Sequence, residues 1–392
     1  MDRRSFLRGG SVMTAASLLN GCVRKATGPL MDAAALAPVN LPASTSCLPP
    51  VRVSEDRVIR TVVGLRPHRA SGFRVEREQV GDSTVIHNYG HSGGGITLSW
   101  GTAKIATDMG LAGYVGRVAV LGSGVIGLTT ARMAQDAGYA VTIYTKALPP
   151  ETTSNIAGGQ WGPSSVYSKP PSELSQTFSE QYIFACKYAY ERFQILTQPK
   201  YGVRWMRNYL INRKPFPAGF GKPNPQQTLP IEHATDALMP ELKVLDEKDS
   251  PFKGLHTAQF DGMMIEPPMF LDALTEDFRI AGGKLVVGEL KTPAEVQALP
   301  EKLVFNCTGL GAKALFDDKE LTPARGQLTF LVPQPEVTYA AMFEDLYMFS
   351  RRDGVLLGGT YDEGNWSLAP DMKTVQEKVK KHAELFASVK AC

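Results

Sequence analysis

A run of glycines in the middle of the chain has the spacing that lets a backbone pack against a phosphate group. It reads Gly122-Ser-Gly124-Val-Ile-Gly127 and matches the pattern G-x-G-x-x-G. In this pattern the first glycine permits a tight turn, the second admits a pyrophosphate, and the third lets a helix pack on a strand. The first amides of that helix, at Val125 and Ile126, then face the phosphates. The run therefore predicts a dinucleotide-binding turn.

The residues around this turn predict the strand–helix–strand unit that such a turn needs. Residues 117–121 have the apolar pattern of a buried strand, 128–137 have a helical pattern, and 140–144 read as a second apolar strand. An acidic residue that binds ribose is expected after the second strand, but the chain there reads Tyr-Thr-Lys at 144–146. Since Lys146 would suit a 2′-phosphate, the turn by itself leaves FAD, NAD and NADP open.

Composition and charge exclude some classes of protein. The chain has 392 residues, 43% of them hydrophobic and 21% charged, which is ordinary for one large globular domain or two medium ones. The formal net charge is +3, mostly from the first 22 residues, and no run of like charges follows, which argues against nucleic-acid binding. His87 and His91 lie in a segment too rich in glycine for the helix that a metal-binding histidine pair needs, so no metal site is predicted.

The first residues resemble an export signal. Residues 2–8 read Asp-Arg-Arg-Ser-Phe-Leu-Arg, which is typical of a twin-arginine signal. Residues 19–22 read Leu-Asn-Gly-Cys and are similar to a lipobox, in which Cys22 becomes lipidated, although Asn20 is unusual there. Residues 23–50, rich in Ala, Pro and Ser, read as a flexible tether. We therefore expect export by the twin-arginine route and a periplasmic or cell-surface lipoprotein, held at the membrane through a lipid on Cys22.

Further motifs lie on both sides of the glycine turn. After it come Thr-Thr-Ser at 152–154, Ala-Gly-Gly-Gln-Trp at 157–161, Val-Phe-Asn-Cys-Thr-Gly at 304–309, Arg-Gly-Gln at 325–327, Tyr347, and Gly-Gly-Thr at 358–360 with Gly-Asn-Trp-Ser at 364–367. Before it come Val-Gly-Leu-Arg-Pro at 63–67 and His-Asn-Tyr-Gly-His-Ser-Gly-Gly-Gly-Ile-Thr at 87–97, followed by Trp-Gly at 100–101. Together these motifs resemble the D-amino-acid oxidase and D-aspartate oxidase family of FAD-dependent oxidoreductases.

The resemblance covers roughly residues 57–370, but the segments similar to the family's C-terminal signature precede the glycine turn. This order implies a circular permutation, which compact domains tolerate when the old termini lie close together. The implied fold is a mixed α/β one, in which a Rossmann-like FAD-binding domain packs on an antiparallel-sheet substrate domain. Both domains would be discontinuous, the FAD-binding domain at 67–165 and 263–323 and the substrate domain at 51–66, 166–262 and 324–392.

The resemblance also implies roles for single residues. Arg66 would clamp the substrate carboxylate, because a guanidinium binds both oxygens through parallel hydrogen bonds. Tyr347 would be a second donor to the carboxylate, and the carbonyl of Gly93 would accept a hydrogen bond from the substrate amine. FAD contacts are implied for the glycine turn and for two further loops, at Thr153, Ser154, Gly159, Gln160, Gly94, Gly95, Ile96 and Thr97.

Two departures from the family pattern bear on the substrate. Members that act on D-amino acids often carry a second active-site tyrosine four residues before the one that matches Tyr347, and this chain has Phe343 there. The branch that acts on acidic substrates places an arginine directly after Gly-Gly-Thr, and this chain has Tyr361. A buried carboxylate on the substrate side chain would then lack a partner. Neutral substrates are therefore favoured.

The reaction that the resemblance implies is FAD-dependent oxidation of a D-amino acid or a related small amine. The product is an imino acid that water hydrolyses to a 2-oxo acid, while oxygen is reduced to hydrogen peroxide. Two other functions stay open at this point. One is a dehydrogenase of the same fold that passes electrons to a membrane acceptor, and the other is a flavin-binding lipoprotein that has lost catalysis.

The cysteines and one polar segment allow further expectations. In an unpermuted relative, the helix before Cys392 would continue into the strand after Cys47, so the permutation predicts a disulfide between these two residues, which an oxidising compartment would preserve. Cys307, in an apolar stretch, is predicted to be buried and inert, and Cys186 to lie in a helix. Residues 196–230, rich in Pro, Asn, Gly and aromatic residues, predict a long surface loop that is a lid or a lipid- or partner-facing insertion.

Overall fold

The computed structural model describes residues 46–222, 229–238 and 240–392, which form two β-sheets with helices packed on them. The predicted leader with Cys22 and most of the tether lie outside these residues. In chain order the strands are β1 (Val58–His68), β2 (Arg74–Val80), β3 (Ser83–Tyr89), β4 (Val118–Leu121), β5 (Val141–Thr145), β6 (Val203–Asn212), β7 (Lys243–Val244), β8 (His256–Ile265), β9 (Lys284–Val287), β10 (Leu303–Asn306), β11 (Thr322–Leu331), β12 (Tyr339–Phe343), β13 (Leu346–Arg351), β14 (Gly354–Gly358) and β15 (Asp362–Glu363). The helices are α1 (Gly95–Leu111), α2 (Val125–Asp136), α3 (Gln176–Ile195), α4 (Pro267–Ile280), α5 (Pro293–Gln297), α6 (Ala312–Leu315) and α7 (Met372–Phe386), with 3₁₀ turns that include Ser92–Gly94, Thr153–Ile156 and Gly309–Gly311.

The first sheet is parallel except at one edge. Its strand order is β2-β3-β10-β4-β5-β9, and only β2 runs antiparallel to its neighbour. Every residue of β4 is buried, because helices cover both faces of the sheet. Val118 and Val120 contact the core shared with α1, α2, α3 and α4, whereas Ala119 and Leu121 face α5 and α6. The predicted strand–helix–strand unit is confirmed, with α2 beginning at Val125 directly after the glycine turn.

The second sheet is largely antiparallel, with the order β1-β11-β14-β13-β12-β6-β8-β7 and β15 paired to β11. Its strands alternate between two cores. Tyr339, Ala341 and Phe343 of β12 pack in the core that includes α7, while Ala340 and Met342 pack on the opposite face. The mixed α/β fold class, with a Rossmann-like sheet and an antiparallel sheet, is therefore confirmed. The domain limits stay a prediction, since residues Leu41–Cys392 form one compact unit.

The segment at 196–230 is not one long loop, so that prediction was wrong. Residues Val203–Asn212 form β6, which pairs with β8 along its whole length and in parallel with β12. Five residues of β6 are buried, among them Met206 and Tyr209. Residues 223–228 of the segment lie outside the described ranges.

The two ends of the described chain meet. Cys47 and Cys392 form a disulfide with their Cα atoms 5.0 Å apart, as predicted. Beside it, Leu48 forms a parallel bridge with Ala391, and the Leu48 amide donates to the Lys390 carbonyl at 2.9 Å. The other two cysteines of the described residues are buried. Cys186 lies in α3, and Cys307 lies next to β10, where burial raises the pKa of its thiol to about 12. In the described ranges, no helix is long and apolar enough to cross a membrane.

Candidate active site

A cleft of about 2190 Å³ lies where the parallel sheet meets the antiparallel one. The loops at the carboxyl ends of five parallel strands line it, at residues 90–93 and 95–96 after β3, 122–126 after β4, 146–147 after β5, 288–291 after β9 and 307–311 after β10. In the sheet, β4 lies between β5 on one side and β10 on the other. The loop after β4 therefore lies at the point where the strand order reverses. Open α/β sheets bind ligands at this position. The other wall comes from β1, β11, β12, β13 and residues 359–361.

The glycine turn has no room for side chains on the protein side. Gly122 has a φ of +96°, and a Cβ there would lie 2.7 Å from the Cys307 carbonyl oxygen. A Cβ on Gly127 would lie 2.0 Å from the Gly122 carbonyl oxygen, so this glycine lets α2 pack on β4 and does not line the cleft. A Cβ on Gly124 would have only the Ser154 Oγ within 4 Å, at 3.1 Å. The turn is thus closed towards the protein and open towards the cleft.

Helix α2 points its amino terminus into the cleft. Val125 and Ile126, its first residues, line the cleft, and the Val125 amide donates to the Ser154 Oγ at 3.0 Å. The partial positive charge at a helix amino terminus attracts anions, and its first amides have no partners within the helix. The turn and the helix together form a site for a pyrophosphate.

Arg66 lies on β1 with its guanidinium in the cleft wall. It lies across Gly326 of β11, where a Cβ would be 2.2 Å from the Arg66 Nη1. Nη1 donates to the Thr360 carbonyl at 3.4 Å, and the guanidinium carbon lies 5.9 Å from the centre of the Tyr361 ring. Among the described residues, no carboxylate lies within 4.0 Å of this guanidinium. Arg66 therefore presents an uncompensated positive charge to the cleft.

Tyr347 of β13 is held beside Arg66 by two glycines. A Cβ on either Gly358 or Gly359 would lie 2.2 Å from its ring, so only glycine fits beneath it. The ring stacks on Phe349, with centroids 4.9 Å apart. Burial raises the pKa of Tyr347, although the charge of Arg66 and a hydrogen bond with it act in the opposite direction. The hydroxyl therefore stays protonated at neutral pH and can donate a hydrogen bond.

The loop after β3 carries Gly93 into the same cleft. Gly93, Gly95 and Ile96 line it, in the 3₁₀ turn and first turn of α1. A Cβ on Gly93 would lie 2.9 Å from the Ser164 carbonyl oxygen, so a side chain there would push against the backbone. The structure thus brings Gly93, Arg66 and Tyr347 to one cleft, together with the glycine turn.

Comparison with known proteins decides the family. Residues 7–109 and 117–391 match the DAO family, described as FAD dependent oxidoreductase. The chain belongs to this family. It is 30% identical to a D-amino-acid oxidase of Dictyostelium discoideum over 67% of this chain and 71% of that protein. It is also 30% identical to a D-amino-acid oxidase of Streptomyces coelicolor, over 69% of this chain and 78% of that protein.

Other similarities are more distant. A human D-aspartate oxidase is 26% identical over 70% of this chain and 76% of that protein. The glycine oxidase structure from Geobacillus kaustophilus has a TM-score of 0.50 and 15% identity, covering 70% of this chain and 80% of that one, which shows the fold alone. By its family, the protein is an FAD-dependent oxidoreductase, and FAD is its cofactor.

The residues of the cleft fit FAD. The glycine turn and the α2 amino terminus suit its pyrophosphate, and the cleft exceeds the roughly 300–1,000 Å³ of sites for drug-sized ligands, which leaves room for a dinucleotide and a small substrate. Thr153, Ser154, Gly159 and Gln160, the predicted flavin loop, all line the cleft. The loop is anchored on β8, since the Ile265 amide donates to the Gly159 carbonyl at 2.7 Å.

Besides Gly127, two of the predicted FAD contacts lie beneath the surface of the cleft. A Cβ on Gly94 would lie 2.5 Å from the Val166 side chain, and Thr97 exchanges hydrogen bonds of 3.0 and 3.1 Å with the backbone of Gly162. Neither Gly94 nor Thr97 lines the cleft, so in this structure they support the loop rather than face a ligand. For the remaining residues, contact with FAD stays a prediction.

Phe343 was expected at the position of an active-site tyrosine, and this prediction was wrong. Phe343 is buried in the core that contains α7, and Arg213 lies over its ring at 5.0 Å. Met342 lines the cleft instead, directly opposite Tyr347 in the β12–β13 pair. Successive residues of a strand point to opposite faces of the sheet. The side chain of Met342 therefore faces the cleft, and that of the next residue, Phe343, faces away from it.

Sequence reasoning also missed a carboxylate at the other end of the cleft. Lys146, after β5, lies 3.7 Å from Glu289, which follows the neighbouring strand β9. Both residues line the cleft. A carboxylate is therefore present after the next strand of the sheet, where no local motif could have indicated it.

Proposed function

We propose that this protein oxidises a D-amino acid with a neutral side chain, or a related small amine, to an imino acid that water hydrolyses to a 2-oxo acid. The observation that carries the proposal is the guanidinium of Arg66, which lies in the cleft that holds the glycine turn and has no carboxylate partner among the described residues. An α-carboxylate is the simplest partner for such a charge. The relatives named D-amino-acid oxidase support the D-configuration.

The protein's own residues bind and orient the substrate. Arg66 holds both carboxylate oxygens, the Tyr347 hydroxyl donates to one of them, and the Gly93 carbonyl accepts from the amine. Three fixed points determine the orientation of the α-carbon in the cleft. FAD held by the glycine turn and the α2 amino terminus would supply the electron chemistry of the oxidation, with oxygen as the proposed final acceptor and hydrogen peroxide as its product.

The wall beside Tyr347 favours a neutral side chain. Met342, Leu328, Ile156 and Phe349 line this part of the cleft and belong to one apolar cluster. A charged substrate side chain against this wall would lose its hydration without gaining a partner.

Anaerobic mixing with a panel of D- and L-amino acids tests the proposal. Bleaching of the flavin absorption by neutral D-amino acids, and not by their L-enantiomers, is the expected result. An unchanged flavin band with the whole panel would contradict it and favour a non-catalytic flavoprotein. Hydrogen peroxide formed in air, compared with reduction of an artificial dye acceptor, then separates an oxidase from a dehydrogenase.

We also propose that the protein is exported by the twin-arginine route and anchored through a lipid on Cys22. The disulfide between Cys47 and Cys392 supports an oxidising location. A route for folded proteins suits a chain that binds its flavin before export. Mass spectrometry of the mature amino-terminal peptide should find a lipidated Cys22, and an intact, unmodified leader would contradict the proposal.

A further inference from the structure

A buried histidine lies next to the proposed substrate site and has no role in it so far. His68 is two residues beyond Arg66 on β1 and is 1% exposed. Its Nδ1 lies 3.2 Å from the Ser92 Oγ, and its Nε2 lies 3.2 Å from the Ser168 Oγ. Both nitrogens thus have hydroxyl partners, one on each side of the ring.

The two hydroxyls lie in different surroundings. Ser92 is buried, lines the cleft and directly precedes Gly93, whose carbonyl is the proposed acceptor for the substrate amine. Ser168 is exposed, and the Glu363 Oε1, on a side chain that is 50% exposed, lies 4.0 Å from the His68 Nε2. A line of hydrogen-bonding groups therefore runs from the amine end of the cleft to a carboxylate in solvent.

The other charged and titratable groups around His68 do not offer the same path. Arg66, on the same strand, is a permanent cation, and Arg69 is paired with Asp318 and Glu320. The Tyr361 ring lies edge-on to His68, with centroids 6.3 Å apart. Burial and the charge of Glu363 raise the pKa of Tyr361, although a hydrogen bond between Tyr361 and Ser92 lowers this pKa. Its hydroxyl therefore keeps its proton at neutral pH and is not a base for the Ser92 proton.

The proposed reaction needs such a path. An amino acid arrives mostly with a protonated amine at neutral pH, and the amine must be neutral before hydride can leave the α-carbon. The Gly93 carbonyl accepts a hydrogen bond but cannot take the proton away. A group that accepts the proton and releases it outside the cleft would let the abundant form of the substrate react.

We propose that Ser92, His68 and Ser168 form a proton relay that takes the ammonium proton of the substrate to solvent at Glu363. This inference rests on the proposed function. The substrate nitrogen gives its proton to the Ser92 Oγ as the Ser92 proton passes to the His68 Nδ1. His68 releases the proton on its Nε2 through Ser168 or water to the Glu363 carboxylate. One proton leaves the amine and one reaches solvent, and no bond to carbon changes. His68 acts through Ser92 and is a positioning residue.

The pH dependence of kcat/KM in the holoenzyme of His68→Gln tests the relay. At neutral pH we expect kcat/KM for a neutral D-amino acid to fall roughly 10²-fold, the lower range for a positioned acid–base group. The loss should disappear as the pH rises to about 10, where much of the free amino acid is already neutral. Loss of packing alone would lower kcat/KM by the same factor at every pH.

Two further variants keep the test decisive if His68→Gln loses its flavin. Ser92→Gly removes the hydroxyl at the cleft end of the relay. Ser92 has a φ of +49°, which glycine adopts without strain, so the variant should fold. It should shift the pH profile of kcat/KM in the same way as His68→Gln. His87→Gln is the matched control, because His87 is also buried and has a carboxylate partner, Glu78, 2.8 Å from its Nε2, but does not line the cleft. Its pH profile should match that of the wild type.

The outcomes separate the relay from the proposed function. If neutral D-amino acids bleach the wild-type flavin and the pH profiles of Ser92→Gly and wild type superimpose, the relay is overturned and the proposed function stands. If no D-amino acid bleaches the wild-type flavin, both are overturned. A pH-dependent loss in Ser92→Gly that is absent in His87→Gln supports the relay.

Discussion

Several partly or fully buried arginines of this protein have carboxylate partners. Arg204 lies 3.1 Å from Glu266, Arg69 lies 3.0 Å from Asp318, and Arg351 lies 2.8 Å from Asp353. Arg66 is half-buried and has none among the described residues. A charge that is partly removed from water without a partner costs free energy, which a bound carboxylate would recover.

Replacing Arg66 with lysine keeps the charge and removes the two-point grip on the carboxylate. We expect a loss of about 1.5–3 kcal/mol of transition-state stabilisation, roughly 10- to 150-fold in kcat/KM, with a normal flavin content. Arg60→Lys is the control, since Arg60 is on the same strand but pairs with Asp353 outside the cleft. An unchanged kcat/KM in Arg66→Lys would remove this residue from the site.

At the scale of elements, the register of two neighbouring parallel strands places an ion pair at the edge of the cleft, and we propose that it contributes to binding FAD. Tyr144 of β5 pairs with Val286 of β9, so the residues after the two strands emerge side by side. This register brings Glu289 to Lys146 at the edge of the cleft. The carboxylate can accept hydrogen bonds from the adenosine ribose, and the ammonium group of Lys146 holds it in place.

Glu289→Ala should weaken FAD binding by about 0.5–1.5 kcal/mol, roughly 2- to 10-fold in Kd, because water can replace part of an exposed hydrogen bond. Titration of the apoprotein with FAD, followed by quenching of flavin fluorescence, measures this. Binding of FMN, which lacks the adenosine, should not change. Asp82→Ala is the matched control, because Asp82 forms a similar exposed pair with Lys302, at 2.9 Å, away from the cleft. Equal losses in both variants would contradict a ribose contact.

At the scale of the whole molecule, the disulfide ties together residues 345 positions apart. Cross-linking such distant residues restricts the unfolded chain most strongly, and chain-entropy models assign it about 6 kcal/mol as an upper value. The double variant Cys47→Ser/Cys392→Ser should unfold at lower denaturant concentration at the same FAD concentration. Dithiothreitol should lower the stability of the wild type and leave that of the variant unchanged. Equal stability of wild type and variant would show that the bond contributes little.

We also propose that the chain is a circular permutation of the family fold. The family matches two separate segments, and the disulfide joins the chain ends that the permutation would have opened. A rearranged variant that begins at Arg117 and links Cys392 to Cys47 through a short peptide should fold and bind FAD with the wild-type affinity. As a control, the same linker is inserted into an exposed loop of the wild type. If the wild type tolerates the linker but the rearranged variant does not bind FAD, the permutation is contradicted.

The sequence by itself determined the parts that depend on local pattern. The glycine turn with β4, α2 and β5 follows from periodicity and glycine spacing, because turn geometry and helix packing are set within a few residues. Motif resemblance located Arg66, Tyr347 and Gly93, which the structure brings to one cleft.

Only the tertiary structure decided which side chains meet across distant segments. Met342 rather than Phe343 faces the cleft because strand pairing sets the face of each residue, and β6 forms in a segment rich in loop residues because β8 and β12 provide its partners. His68 meets Ser92 because β1 of one sheet packs beside the turn that follows β3 of the other. Such contacts depend on how separate elements pack, and a pattern along the chain does not record that packing.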